Sequence, residues 1–464
     1  MASTETSKPV EAFQSILFER EGHRAQSPEE PAFFGDVHLD EVLSSMIEGR
    51  DEYDLAPLFY CALDDVEAVR YRHHVLQDLE REPVRETAME FAHSMHKMRQ
   101  CRVLTDNLYH RLQKQRWYLE SISIYCDAVK SFSERLTELT LGSRGLAALR
   151  DFLAAYVESE PFASLSGETQ ELKNELAAVT YSVQLRGNRV RVSRYDGEAD
   201  IGEEVERTFA KFKRGAVKNH RIRFGETAAM NHVEERIIEL VAKLHPETFG
   251  KLHAHCERHA RYVDDTIGRF DREVQLYLAY LEYIQPMKSA GLCFSYPRVS
   301  ERSKDEHADD TFDLALARRL LEDDARVVCN DFHLSGPERI LVVTGPNNGG
   351  KTTFARTFVQ LHYLASLGLP VPGREARLFL PDQIFTHFER EEDIETLRGK
   401  FEDELFRIRD ILRQASSNSV LVMNESFGST TLSDALLVGG EVMRQIIALD
   451  VLCVFVTFVD ELSC

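Results

Sequence analysis

The stretch Thr344-Gly345-Pro346-Asn347-Asn348-Gly349-Gly350-Lys351-Thr352-Thr353 follows the apolar run Ile340-Leu341-Val342-Val343 and precedes the helical pattern Thr353-Phe354-Ala355-Arg356. It fits G-x-x-x-x-G-K-[ST] between a strand and a helix, the context in which a loop of this composition cradles phosphates. Glycines let the backbone N–H groups wrap an anion, and a helix N-terminus adds partial positive charge. Lys351 is then placed to reach the β- and γ-oxygens, and the Thr352 hydroxyl to reach Mg²⁺. ATP and Mg²⁺ are the expected ligands, with Gly345, Pro346, Asn347, Asn348, Gly349, Gly350, Lys351, Thr352 and Thr353 as the nucleotide-binding residues.

Two further short apolar runs, Val420 to Met423 and Val451 to Val456, are separated from the first by helical segments, as expected of buried parallel strands. The run at Val420 ends in Asn424-Glu425. An acidic residue at such a strand end commonly holds Mg²⁺ through water, and the next carboxylate positions the attacking water. Asn424 is therefore the second expected metal residue, able to accept from metal-bound water but bringing no charge, and Glu425 is the expected catalytic base.

Upstream the texture is helical. Residues 40–135 read as helices broken near Pro57 and Pro83. At residues 181–195 the period changes to two around Gly187-Asn188, which predicts a tight hairpin. Apolar residues from Met230 to Leu244 recur at helical steps until Pro246, and a near-heptad run from Cys256 to Ile284 predicts one helix of about 45 Å ending at Pro286. The polar stretch Pro297 to Thr311 reads as a linker. The expected fold class is thus α plus α/β: an extension over 1–40, a helical lever over 41–297 with a small β element and a clamp-like insertion around 180–250, and an α/β domain over 298–464.

These motifs together resemble the MutS mismatch-repair ATPase family. The likeness runs from Val328-Cys329-Asn330-Asp331 through the glycine-rich loop, Pro372-Gly373-Arg374-Glu375-Ala376-Arg377 and Ile384-Phe385-Thr386-His387 to Asn424 through Asp434, with a weaker likeness at Leu58-Phe59-Tyr60 to Leu76-Gln77-Asp78-Leu79. The resemblance implies a C-terminal ABC-type P-loop ATPase that homodimerises through this domain and couples ATP to a grip on DNA. Three positions depart from the family pattern: Asn424 where Asp is usual, Phe458 where His follows Thr, and the Gly399-Lys400 region where a signature serine is expected. They favour nucleotide binding over fast hydrolysis, so the expected enzyme is a weak DNA-dependent ATPase. A nucleotide-gated scaffold with negligible turnover is the second reading. An SMC- or RecN-like ABC protein is a third, disfavoured because those chains place the loop near the N-terminus. The likeness starts at the helical core without a mismatch-reading domain and stops at Cys464, before the helices that stabilise the family's dimer, so the chain reads as C-terminally incomplete.

Bulk composition limits what else the chain does. It holds 77 acidic against 56 basic side chains, a net charge of −21, which opposes wholesale attraction to a polyanion and confines DNA contact to a local patch. Between Arg186 and Arg223 eleven Lys and Arg face six Asp and Glu. Lys211, Lys213, Arg214, Lys218, Arg221 and Arg223 are accordingly the expected DNA contacts, with a solvated basic surface as the bland alternative. The absence of a long apolar run or a signal pattern argues against a membrane and for a cytoplasmic protein, and eight scattered cysteines without CxxC pairing suit reduced thiols. His255 and His259 share a helical face near His253 and Cys256, but no second Cys/His pair supports them, so this cluster reads as surface or packing rather than zinc.

Overall fold

The computed structural model describes residues 13–19, 29–186, 189–197, 230–346, 348–388, 400–425, 427 and 431–458. The helices in chain order are α1 (Leu39–Ile47), α2 (Ala56–Phe59), α3 (Val66–Glu80), α4 (Glu82–Asn107), α5 (Arg111–Glu138), α6 (Arg144–Glu158), α7 (Glu160–Ala177), α8 (His232–Leu244), α9 (Pro246–Arg258), α10 (Asp265–Ser289), α11 (Leu314–Glu322), α12 (Lys351–Ser366), α13 (Lys400–Gln414) and α14 (Leu432–Leu449). The strands are β1 (Tyr181–Arg186), β2 (Arg189–Arg194), β3 (Phe294–Ser295), β4 (Arg298–Ser300), β5 (Glu306–Thr311), β6 (Asn330–Leu334), β7 (Ile340–Val343), β8 (Val371–Pro372), β9 (Glu375–Phe379), β10 (Ile384–Phe388), β11 (Val420–Asn424) and β12 (Leu452–Val456). Helix and sheet are mixed as expected, and the chain packs as two compact units that are discontinuous in sequence.

The first unit comprises residues 1–86, 139–150 and 266–464. Its centre is a parallel sheet of order β10-β11-β12-β7. Leu421, Met423, Cys453 and Phe455 face one side, where they join Ile408 of α13 and Ala435, Val442 and Ile446 of α14 in a single core. Side chains alternate along a strand, so Val420, Val422 and Asn424 lie on the opposite side, which α12 covers. Both faces are buried, which is why these strands read as continuous apolar runs.

Helix α12 is buried along most of its length, and its polar groups are met by distant segments. Gln360 donates to the carbonyl of Val37 and to Asp313. Tyr363 donates to the Phe59 carbonyl and lies edge-on to Phe33, Phe34 and Phe59. Residues 29–63 thereby pack directly on this helix. A second sheet, β4-β9-β5-β6, lies in the same unit. Residues 298–311 supply two of its strands, so the stretch expected as a linker is structured. Its polar side chains misled the reading: Glu306 points inward and is fully buried against His362.

The second unit comprises residues 87–138 and 151–265, with α5, α7 and α9 packed on one another. Leu119, Leu172 and Leu252 form the shared core of these three helices. The predicted hairpin is present: β1 and β2 pair antiparallel from Tyr181 with Arg194 to Arg186 with Arg189. Asn231 caps α8 in a capping box with Glu234, and Pro246 opens α9 as its first residue. The expected single helix over 256–284 is instead divided, because α9 ends at Arg258 and α10 starts at Asp265. Pro286 lies inside α10 rather than ending it, and the carbonyl of Pro286 still accepts from Ala290. Heptad spacing continued across a break that the apolar pattern does not mark.

The buried pair Glu306 and His362 yields a pH-dependent expectation. Glu306 Oε1 lies 2.7 Å from His362 Nε2 and accepts from the Phe379 amide at 2.9 Å. Desolvation alone would lower the imidazole pKa, but the Glu306 charge and hydrogen bond prevail and raise it above 6.5. A raised folded-state value means that this pair's stabilisation is complete below pH 6.5 and is lost as pH rises through the shifted value. Glu306→Gln is expected to lower unfolding free energy by about 1–3 kcal/mol in acid and to flatten that loss at alkaline pH. Urea denaturation of both proteins across pH measures it; parallel curves would refute the assignment.

Candidate functional site

The site forms where the carboxyl ends of β7, β11 and β12 meet the start of α12. The parallel register runs past the strands, since Thr457 N–H donates to Val343 and Glu425 N–H donates to Val456. Between β7 and α12 the chain must turn sharply. Asn348 has φ 63° and Gly350 φ 85°, both left-handed, and a Cβ on Gly349 would come within 2.9 Å of the Pro346 carbonyl oxygen. Gly350 is the N-cap and brings no side-chain oxygen to the first turn. The N–H groups of that turn are therefore directed at the cleft with the positive end of the helix dipole.

Lys351 is the first residue of α12, buried, and its ammonium curls back over the loop. It donates to the carbonyls of Gly345 at 2.8 Å and Pro346 at 3.1 Å. Glu425 Oε1 lies 3.9 Å away, and the Phe458 ring centroid lies 4.3 Å away. Asn348, Gly349, Gly350, Lys351, Thr352, Thr353, Glu425 and Phe458 line one open cleft of about 510 Å³. Asn424 sits behind it, 5% exposed, with an Oδ1 that has no hydrogen-bond partner among the described residues. A buried acceptor without a donor is costly unless some further group meets it.

The turn after β11 is strained as well. Glu425 has φ 56° and Phe427 φ 69°. What holds it is Glu404 of α13, whose Oε1 accepts from the Phe427 amide at 2.8 Å and lies 3.2 Å from Nε2 of the buried His387 on β10. One carboxylate thus ties a helix, a strand and the turn that carries Glu425. The Phe427 ring completes the anchor in the core formed with α13 and α14.

Of the residues expected from sequence, the structure brings together Gly345, Pro346, Asn348, Gly349, Gly350, Lys351, Thr352, Thr353 and Glu425, with Asn424 adjoining. Asn347 and Gly399 lie outside the described residues, as do Lys211, Lys213, Arg214, Lys218, Arg221 and Arg223. Sequence reasoning named Phe458 only as a departure from a pattern, and missed Glu404 and its link to His387. Their one sequence signal is the acidic start of α13, which is indistinguishable from ordinary helix N-terminal charge.

This arrangement of a parallel sheet, a glycine-rich loop and a buried lysine at a helix N-terminus defines a class of anion-binding α/β domain. Residues 341–464 match the family model described as MutS domain V. The chain is 31% identical over 172 residues to the DNA mismatch repair protein MutS of Rickettsia bellii (strain OSU 85-389), covering 35% of this chain and 19% of that relative. With the protein of the same name from Rickettsia rickettsii (strain Sheila Smith) it shares 32% identity over 168 residues, 34% of this chain and 19% of the relative. The chain therefore spans about a fifth of the length of the curated relatives it matches. Over this C-terminal region the chain is similar to MutS proteins.

Removing the Glu404 carboxylate leaves a buried amide and a buried imidazole without their acceptor. Glu404→Ala is expected to cost about 1–3 kcal/mol of stability and to speed hydrogen exchange at the Phe427 amide above all. Unchanged protection at Phe427 in exchange mass spectrometry would show that Glu404 does not hold this turn.

Proposed function

We propose that the cleft binds ATP with Mg²⁺ and that the chain couples its nucleotide state to binding of DNA, as a MutS-like protein with a mismatch-repair-related role. The observation that carries this reading is the convergence on one cleft of the Lys351 ammonium, the first-turn amides of α12 and the Glu425 carboxylate, with the Asn424 oxygen, which has no partner among the described residues, nearby. The residues present fit the ligands. Amides and an ammonium suit phosphate oxygens, and the Thr352 hydroxyl with Asn424 Oδ1 suits a hydrated Mg²⁺. The ion, when bound, would supply positive charge to offset that of the phosphates. Lys351 would exchange its two carbonyl acceptors for phosphate oxygens, Asn424 would help to hold the hydrated ion, and Glu425 would accept a hydrogen bond from the attacking water and align it.

Turnover is expected to be slow. Asn424 brings no charge beside the metal, and the Phe458 ring stands over Lys351 where an imidazole would instead offer a hydrogen-bonding nitrogen. These same features favour the second reading, a nucleotide-gated scaffold with negligible hydrolysis. In either case the coupling follows from different ATP affinities of open and closed states, in a homodimer assembled through this domain. Lys351→Ala should weaken ATP binding by roughly ten- to a hundredfold, the worth of a charge-assisted hydrogen bond of about 1.5–3 kcal/mol. Calorimetry giving equal affinities for parent and variant would remove the nucleotide assignment.

The DNA half of the proposal rests on the local excess of eleven basic over six acidic residues between Arg186 and Arg223 in a chain of net charge −21. Reversing Lys211, Lys213 and Arg214 to Glu should weaken all duplexes alike, because phosphates carry no sequence information. Each lost contact should lower the slope of log K against log salt by about 0.9. ATP affinity without DNA should stay parental. Superimposed salt titrations of parent and triple variant would leave the scaffold reading in place of the clamp.

A further inference from the structure

Far along the chain from the glycine-rich loop, α7 and α9 bring three metal-ligating side chains together. His255 and His259 stand one turn apart with ring centroids separated by 4.6 Å, and Glu168 of α7 faces both. Glu168 Oε2 lies 3.5 Å from His255 Nδ1 and 3.4 Å from His259 Nε2. The three ligand atoms all lie within 4.8 Å of one another. Bonds of about 2.1 Å to a tetrahedral ion would place its ligand atoms about 3.4 Å apart, so two of the three edges already have the required length.

The tautomer of His255 is set by its other neighbour. Thr169 Oγ1 donates to the Leu165 carbonyl at 2.6 Å, which spends its only proton. It must therefore accept from His255 Nε2–H, 3.1 Å away. Nδ1 of the neutral ring then turns a lone pair, not a proton, toward the Glu168 carboxylate. His255 is 5% exposed and the Glu168 side chain 36%, and a lone pair facing a carboxylate there suits a cation between them. Thr169 is the outer hydrogen-bond partner that metal-bound histidines regularly have, and Ser164 Oγ donates to the other carboxylate oxygen, Oε1, at 2.9 Å.

We propose that Glu168, His255 and His259 form a binding site for a divalent transition metal of the Zn²⁺ class, with a fourth position open to water. Two imidazoles and one carboxylate suit Zn²⁺ and disfavour Mg²⁺ or Ca²⁺, which take all-oxygen sets. A cleft of about 350 Å³ opens beside the site, lined by three carboxylates, Glu168, Glu171 and Glu175, against the two cations Lys251 and Arg258. Arg258 also reaches Glu168 Oε2 at 2.8 Å, but its side chain is 62% exposed and swings into solvent when an ion takes that oxygen. The bound ion would pin the carboxyl end of α9 to the middle of α7.

The test uses the full chain, stripped with chelator and titrated with Zn²⁺ and with Co²⁺. The parent is expected to bind one ion that Glu168→Gln and His259→Asn do not, with the visible bands of tetrahedral Co²⁺ and a rise in melting temperature on Zn²⁺ addition. Thr169→Ala should weaken binding about ten- to a hundredfold while keeping the same stoichiometry. His253→Asn, on the same helix but hydrogen-bonded to Gln115, should bind as the parent does. Circular dichroism establishes that each variant is folded. Identical titrations of parent, Glu168→Gln and His259→Asn would overturn the proposal, and so would equal loss in His253→Asn.

Discussion

The first unit depends on one buried helix and on finding partners for its polar groups. Twelve of the sixteen residues of α12 are buried, among them Lys351, Thr357, Gln360, His362 and Ser366. Buried polar groups are tolerated only when hydrogen-bonded. Gln360 is satisfied by Val37 and Asp313, His362 by Glu306 and Phe358, Tyr363 by Phe59, and the Ser366 carbonyl by the Leu63 amide. Apart from Phe358, which lies in the helix itself, these partners come from residues 37, 59–63, 306 and 313, so the helix cannot shift without breaking several bonds at once.

That rigidity is delivered to the helix N-terminus, where it matters. A left-handed residue costs conformational energy that only surrounding structure offsets. Among the described residues, three non-glycine positions of this kind border the cleft or its flanking turn: Asn348, Glu425 and Phe427. On one side the loop is held by α12 and by Lys351 drawing in the carbonyls of Gly345 and Pro346. On the other, Glu404 and the buried Phe427 ring hold the turn after β11. Lys351 and Glu425 are thereby fixed 3.9 Å apart by supports from opposite faces of the same sheet.

In the second unit the three packed helices α5, α7 and α9 share both apolar and polar contacts. Leu119, Leu172 and Leu252 meet in its core, and the polar bonds between α7 and α9 centre on Glu168, Thr169 and Glu175. An ion held by Glu168, His255 and His259 would add a further link between α7 and α9.

Sequence alone determined the elements whose signals are local. The three parallel strands were legible because strands buried on both faces are apolar throughout, and the loop because its glycines, lysine and threonine sit at set spacings between a strand and a helix. The hairpin at Tyr181–Arg194 was legible because its period of two is interrupted at a turn dipeptide. Tertiary structure alone decided which polar residues meet. Glu306 and His362 are 56 positions apart, Glu404 and Phe427 23, and Thr169 and His255 86. An inward-facing glutamate and a solvated one look the same in sequence, which is why residues 298–311 read as a linker. The break between α9 and α10 was hidden for a related reason: apolar spacing reports which residues seek the core, not whether the backbone between them continues as one helix.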